Sequence, residues 1–299
     1  MCGIVGLFLK DKALEPQLGR LLAGMLEVMS DRGPDSAGFA VYGDGREGYV
    51  KLSLRMPAGF DFDVVEAGLR GLVGAEVDLV VRDSHVIAEI PAAKEALVRA
   101  LIAEKHPEIT VVGSGARMEI YKEVGLPATV AARFGLAQMR GSHGIGHTRM
   151  ATESAVTTNG AHPFSTGPDQ CLVHNGSLSN HNAVRRGLIR DGIRFETEND
   201  SEVAAGYLTH ELAKGAPLSE ALHSALDALD GFYTFVVGTE SGFGVLRDPI
   251  ACKPAVMAET DAYVAFGSEY RALAGLPGIE TARVFEPEPA TVYFWERAA

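Results

Sequence analysis

Short apolar runs separated by turn residues occupy both ends of this 299-residue chain. The first run, residues 4–9, ends at Lys10 and Asp11, and residues 18–29 then place leucine and methionine at helical spacing. The last third alternates strand and turn, with predicted strands at 232–237, 243–246, 262–266 and 290–294. Strands this short, interspersed with helices, pack most simply as antiparallel sheets covered by helices, which makes the fold class α+β.

The middle of the chain follows a different pattern. Predicted helices at 64–72, 92–103 and 128–134 alternate with predicted strands at 79–82, 86–90 and 109–112. This alternation predicts an inserted α/β subdomain at 59–139, within one domain that covers 1–299. Just before it, Gly43-Asp44-Gly45 supplies turn chemistry for a hairpin between strands at 39–42 and 49–54.

Composition excludes several classes of partner. The formal net charge of -12 and a pI near 5.2 provide no basic surface, so neither nucleic acid nor a membrane is expected as a partner. Cys2, Cys171 and Cys252 form no disulfide framework and, with the nine histidines, no zinc-binding pattern, so we expect no metal. Cysteine usage, the lack of a signal-peptide core and the lack of an apolar stretch of ~20 residues indicate a cytoplasmic protein.

Cys2 stands directly after the initiator methionine and before Gly3. Removal of Met1 would leave a thiol and a free α-amine on one residue. Because an α-amine has a pKa of about 7.7–8.0, it can accept the proton of its own thiol without help from a histidine. Taken alone, Cys2 would more simply be an ordinary strand residue, so its interpretation depends on the rest of the sequence.

Further motifs follow Cys2 in the chain order of a known enzyme family. They are Arg32-Gly33-Pro34-Asp35-Ser36-Ala37-Gly38, Gly146-His147-Thr148-Arg149-Met150-Ala151-Thr152, His174-Asn175-Gly176 and Asn199-Asp200-Ser201-Glu202, with Arg247-Asp248-Pro249 and Gly267-Ser268-Glu269 nearer the C-terminus. Over residues 1–50 and 144–299 the chain resembles the class II glutamine amidotransferases. The resemblance implies the N-terminal nucleophile hydrolase fold, a four-layer α-β-β-α sandwich, with L-glutamine as substrate and Cys2 as nucleophile.

The chemistry of glutamine suggests roles for the motif residues. Attack of the Cys2 thiolate on the side-chain amide produces an oxyanion, which needs fixed hydrogen-bond donors. The Asn175 side chain and the Gly176 N–H suit that role, although an Asn-Gly pair standing alone would more simply be a type I′ turn. Arg149 suits the α-carboxylate of the substrate, with the Thr152 hydroxyl beside it.

The family resemblance adds two more roles. It assigns Asp200 to the substrate α-ammonium, whereas the same residue judged alone would be an N-cap of the helix predicted from Glu202. It gives Arg32 a supporting role, as one member of an ion pair beside the nucleophile. His147 and His174 are expected to be structural, because the α-amine already supplies the base.

The resemblance also bears on partners. No domain that would use ammonia follows the glutaminase motifs, so we expect the acceptor site on another polypeptide. Residues 144–154 and 174–180 most resemble the glutaminase subunit of N-methylglutamate synthase and related glutamate-synthase-like complexes. That resemblance implies no cofactor on this chain and partner subunits that carry FMN and iron–sulfur centres. Met150 and Glu153 depart from commoner family sequences, which leaves the acceptor class open.

Two other functions stay open on the sequence. A catalytically idle regulatory subunit would keep the fold for binding, but it would not need Cys2, Arg149, Asn175 and Asp200 together. Another N-terminal nucleophile amidase, acting on peptides or acyl amides, would keep the nucleophile but leave Arg149 and Asp200 unexplained.

Overall fold

Two antiparallel sheets form the centre of the molecule. The computed structural model describes residues 2–74, 77–151 and 156–297. Strand numbers follow the chain; in spatial order, the strands of the larger sheet are β15 (Arg283–Phe285), β13 (Val256–Glu259), β14 (Tyr263–Gly267), β1 (Gly3–Leu9), β8 (His143–Arg149), β2 (Ser36–Tyr42) and β7 (Met118–Val124). Those of the second sheet are β16 (Thr291–Glu296), β12 (Gly242–Arg247), β11 (Gly231–Gly238), β10 (Gln170–Leu178) and β9 (Phe164–Gly167).

Helices cover the outer face of each sheet. On the seven-stranded sheet they are α1 (Leu18–Val28) and α4 (Pro127–Arg133), and on the five-stranded sheet α5 (His181–Arg190), α6 (Asp200–Ala213) and α7 (Leu218–Ala228). The apolar stripe of α1, including Leu22 and Leu26, packs on Phe39 of β2. Ile4 and Phe243 belong to the core between the sheets. The α-β-β-α sandwich predicted from the resemblance is confirmed.

A third, four-stranded sheet forms the inserted unit. Its spatial order is β4 (Asp78–Arg82), β5 (His85–Pro91), β3 (Tyr49–Arg55) and β6 (Thr110–Gly115), and α2 (Phe62–Val73) and α3 (Glu95–Lys105) share its separate apolar core. The unit therefore extends from 49 to 115. These bounds differ from the predicted 59–139 because β3 belongs to the insert, whereas β7 and α4 belong to the sandwich.

The predicted hairpin between strands at 39–42 and 49–54 is wrong. β2 pairs with β7 and β8, and β3 pairs with β5 and β6. The glycine-rich link at Gly43–Gly45 does connect two strands, but turn chemistry specifies only that the chain can bend. Contacts between residues that are far apart in the sequence decide which strands pair.

The start of the chain lies in the middle of the larger sheet. Gly3 of β1 pairs with Thr148 of β8, and Val5 pairs with Gly267 of β14. Residue 2 therefore lies beside the ends of two neighbouring strands. Within the described part of the chain, every helix is too short or too polar to cross a bilayer.

Two glycines of α1 differ in how close they lie to the backbone of residues 136–139. Gly19 donates its N–H to the Met139 carbonyl oxygen at 3.0 Å. A Cβ at Gly19 would overlap the Leu136 carbonyl oxygen and lie 2.6 Å from that of Met139, whereas a Cβ at Gly24 would meet nothing.

We expect Gly19→Ala to lower the free energy of unfolding by about 1–3 kcal/mol, because the helix must shift away from this backbone. Gly24→Ala is the matched control, and it should raise the free energy by up to about 1 kcal/mol through helix propensity alone. Urea unfolding of both variants measures the difference. Equal effects would mean that α1 does not rest on this backbone.

Candidate active site

Cys2 is held by its carbonyl oxygen. Arg32 Nε donates to that oxygen at 3.1 Å and Asn175 Nδ2 donates to it at 3.2 Å. The thiol lies 3.9 Å from the Met150 carbonyl oxygen, and the residue is half-buried. Because Asn175 belongs to the five-stranded sheet and Cys2 precedes the first strand of the other, this contact joins the two sheets at the candidate nucleophile.

Asn175 and Gly176 lie within β10, so the type I′ turn considered for them is excluded. Asn175 pairs with Thr234, and Gly176 pairs with Tyr233. Gly176 has φ of +148°, and a Cβ there would overlap the Phe232 carbonyl oxygen. The position therefore requires glycine for both conformation and space, and it follows directly the amide side chain that contacts Cys2.

Arg149 is the last residue of β8 and is 8% exposed. Its carbonyl oxygen accepts the Asp35 N–H at 3.1 Å, and Asp35 Oδ2 accepts the Ala151 N–H at 2.7 Å. The Arg-Gly-Pro-Asp segment thus holds the chain on both sides of Met150. Thr152, proposed to assist Arg149, lies outside the described residues.

A loop that the sequence did not single out packs behind Arg149. Lys122 of β7 is buried, and its Nζ donates to the Ala161 carbonyl oxygen at 3.0 Å. A Cβ on Gly160 would lie 2.9 Å from Arg149 Nη1, so the loop runs against the guanidinium. Burial lowers the pKa of Lys122 to about 8. A strand at the border of the insert therefore supports the surroundings of Arg149.

Asp200 begins α6 and also holds the end of β10. Its Oδ2 accepts the Leu178 N–H at 2.9 Å. The N-cap is Asn199, whose Oδ1 accepts the Ser201 N–H at 2.9 Å, so the capping role considered for Asp200 belongs to its neighbour. The Asp200 side chain is 22% exposed, which leaves the carboxylate accessible to a small ligand.

Two buried histidines contact Ser201, a third stacks on one of them, and burial keeps all three neutral. His162 Nε2 and His174 Nδ1 each lie 2.8 Å from Ser201 Oγ, and the rings of His147 and His162 stack at 3.9 Å. Burial lowers the pKa of His147 to about 3 and also lowers the pKa of His162 and His174. The group packs the inside of the site, as expected for His147 and His174, and the residue type of Ser201 alone gave no signal of its central place.

The other two cysteines lie in different surroundings. Cys171 is fully buried, 3.3 Å from Tyr42 Oη, and burial raises the pKa of its thiol to about 12. Cys252 is exposed. Only Cys2 combines partial exposure with hydrogen bonds from two of the predicted site residues, Arg32 and Asn175.

Comparison with known proteins shows the family of the chain. A family model described as a glutamine amidotransferase domain matches residues 147–275. The glutamine amidotransferase-like protein GlxB of Rhizobium meliloti is 65% identical over 302 residues, which cover 99% of this chain and 98% of that protein. The chain belongs to the glutamine amidotransferase family. A putative glutamine amidotransferase of Methanothermobacter thermautotrophicus is 33% identical over 99% of this chain and 100% of that protein.

A solved structure agrees with the fold. Glutamine phosphoribosylpyrophosphate amidotransferase from B. subtilis, complexed with ADP and GMP, superimposes with a TM-score of 0.62 at 19% identity. The match covers 99% of this chain and 47% of that one, so the chain spans about half its length. Identity this low bears on the fold alone. The family relationship makes the chain an enzyme of the glutamine amidotransferase class.

The structural contact of Asp200 and the substrate contact predicted for it can be tested separately. Asp200→Asn keeps an oxygen that can accept the Leu178 N–H, so we expect the free energy of unfolding to change by less than about 1 kcal/mol. The variant loses the negative charge that would pair with the substrate ammonium. We therefore expect the KM for glutamine to rise by about tenfold or more, from the lost charged hydrogen bond.

Glu220→Gln is the control for this experiment, because it also neutralises an acidic residue in the first turn of a helix, α7, and is exposed. Its KM should equal that of the parent. An Asp200→Asn enzyme with the parent KM would remove Asp200 from the substrate site.

Proposed function

We propose that this chain hydrolyses L-glutamine to L-glutamate and ammonia through a thioester on Cys2, after removal of Met1. The observation that carries the proposal is the double hydrogen bond to the Cys2 carbonyl oxygen from Arg32 and Asn175. An ordinary residue at the start of a strand does not need two side-chain donors drawn from distant parts of the fold. Such donors are needed by a nucleophile that must keep one orientation.

Acylation begins on Cys2 itself. The α-amine takes the thiol proton, and the thiolate attacks the side-chain amide carbon of glutamine while the C=O electron pair moves to oxygen. The Gly176 N–H and a proton of Asn175 Nδ2 stabilise the oxyanion. The amide nitrogen of Asn175 carries two protons, so it can donate to substrate while it keeps Cys2. One such donor contributes roughly 2.7–4 kcal/mol in the transition state.

Breakdown returns the enzyme to its starting state. The protonated α-amine of Cys2 gives its proton to the leaving nitrogen, the C–N bond breaks, and ammonia departs from a thioester. The amine then takes a proton from water as the oxygen attacks the thioester carbon. The C–S bond breaks, glutamate leaves, and the thiolate recovers its proton.

Arg149 and Asp200 supply the charges that recognise a free amino acid. A guanidinium at the end of β8 suits bidentate pairing with the α-carboxylate, and Thr152 would add a hydroxyl there. Asp200 Oδ1 lies 3.7 Å from His174 Nδ1. Because burial lowers the pKa of His174, that ring does not neutralise Asp200, and the carboxylate stays available for the substrate ammonium. Another N-terminal nucleophile amidase would have no use for this pair of charges.

We further propose that the ammonia passes to a synthase partner of the N-methylglutamate synthase or glutamate-synthase-like kind, in the cytoplasm. The motif resemblance supports this acceptor class, and FMN and iron–sulfur centres would lie on the partner. An insert with its own apolar core, including Leu52 and Leu69, is far longer than a usual connection and suits docking. Ammonia is mostly protonated at neutral pH, so direct transfer keeps it nucleophilic.

A glutaminase assay tests both the thioester chemistry and the synthase partner. The purified chain should release glutamate from glutamine, and Cys2→Ala should abolish release. Cys252→Ala should leave release unchanged, because the Cys252 thiol is exposed and the proposed chemistry uses the Cys2 thiol alone. Co-expressed glutamate-synthase-like chains should copurify with the enzyme and raise its rate. An active Cys2→Ala variant would refute the thioester, and a fully active chain that copurifies with none of them would refute the partner. A parent chain inert with and without them would be the idle subunit.

A further inference from the structure

The Arg32 guanidinium lies between the candidate nucleophile and a carboxylate. Arg32 Nε donates to the Cys2 carbonyl oxygen at 3.1 Å, and Arg32 Nη1 donates to Glu269 Oε1 at 2.5 Å. The two residues of the ion pair are 237 positions apart in the sequence. The position of the Cys2 carbonyl therefore depends on that of Glu269 through the planar guanidinium of Arg32.

Arg32 is the more buried member of the ion pair, and Glu269 is partly exposed. The side chain of Arg32 is 10% exposed and that of Glu269 is 32% exposed. The second carboxylate oxygen, Oε2, is held by Arg271 Nε at 2.6 Å, and Arg271 Nη1 reaches Asp31 at 3.2 Å. Both oxygens of Glu269 are thus fixed. The hydrogen bond from Arg32 holds the pKa of Glu269 below its usual range, so the carboxylate is charged at neutral pH.

The neighbouring residue grips the same stretch of chain. Ser268 Oγ accepts the Ile4 N–H at 2.9 Å, and the Ser268 N–H donates to the Ile4 carbonyl oxygen at 3.0 Å. Two consecutive residues after β14 therefore hold the start of the chain: Ser268 bonds directly to Ile4, and Glu269 acts on Cys2 through Arg32. Chain termini are poorly ordered unless they are tied down, and a terminal nucleophile depends on such ties.

We propose that Glu269 is a positioning residue for Cys2, acting through Arg32. The inference rests on the proposed function, in which Cys2 is both nucleophile and base. Glu269 fixes the plane of the guanidinium, and this plane sets the Cys2 carbonyl and with it the directions of the thiol and the α-amine. Its negative charge also offsets the charge of Arg32, which would otherwise disfavour protonation of the nearby amine.

Replacement of Glu269 separates these two effects. In Glu269→Gln the Arg32 charge is no longer offset, so the pKa of the α-amine falls and the acidic limb of the kcat/KM profile moves to lower pH. The plateau of kcat/KM should fall about 10- to 100-fold, the usual cost of a small misplacement of reacting groups. Glu269→Asp keeps the charge but shortens the side chain, so the plateau should fall while the acidic limb stays in place.

The control is a glutamate in a similar pair at the opposite end of β1. Lys10 Nζ and Glu259 Oε1 are 2.6 Å apart, and the Glu259 side chain is 26% exposed. Glu259→Gln should keep the parent profile. Inhibition by L-glutamate reports binding without chemistry, and it should be unchanged in all three variants, because Arg149 and Asp200 are untouched.

The outcomes separate this inference from the proposed function. A parent enzyme that is active and inactivated by Cys2→Ala, with Glu269→Gln keeping both plateau and acidic limb, would overturn the role of Glu269 alone. Weaker glutamate inhibition in Glu269→Gln and Glu269→Asp would also overturn it, because the substrate site would then have collapsed. If Cys2→Ala keeps activity, the proposed function is refuted, and the inference about Glu269 is refuted with it. Should Glu269→Gln not fold, Glu269→Asp decides: a parent plateau contradicts the inference.

Discussion

The carbonyl oxygen of Cys2 is the point on which the candidate site depends. Two side chains reach it from different parts of the fold: Asn175 from the five-stranded sheet and Arg32 from the loop before β2. The hydrogen bond from Asn175 is possible only because the sandwich brings β10 opposite the start of β1. A change in the packing of the sheets would therefore move the nucleophile relative to its proposed oxyanion donors.

The surrounding structure keeps β10 in place. Gly176 lets the strand pass close to the Phe232 carbonyl oxygen, and Asp200 holds the Leu178 N–H at the far end. Ser201 beside it bridges two neutral histidines, His162 and His174. Asp200 would thus be at once a support of the strand and a contact of the substrate, so binding of glutamine would be coupled directly to the position of the oxyanion donors.

The resemblance of the motifs to a known family predicted the sandwich. Helical spacing predicted α1, and the motifs named Arg32 and Asn175, both of which donate to the Cys2 carbonyl oxygen. The boundaries of the insert and the partner of β2 were not predictable, because strand pairing depends on contacts between distant residues. Glu269 and Ser201 lie in two of the motifs, but their contacts were not predictable for the same reason, because the type of an acidic or hydroxyl residue does not indicate its partner. The Asn-Gly pair taken alone favoured a turn, but its residues lie within β10 and pair with β11.

The most direct test of the proposed chemistry is to trap the acyl-enzyme. The protein is mixed with glutamine, quenched in acid within the first turnover, digested, and analysed by mass spectrometry for a glutamyl thioester. We predict the acyl group on a peptide that begins at Cys2, with Met1 absent. An acyl group on Cys171 or Cys252, or on an N-terminal peptide that still carries Met1, would contradict the proposal.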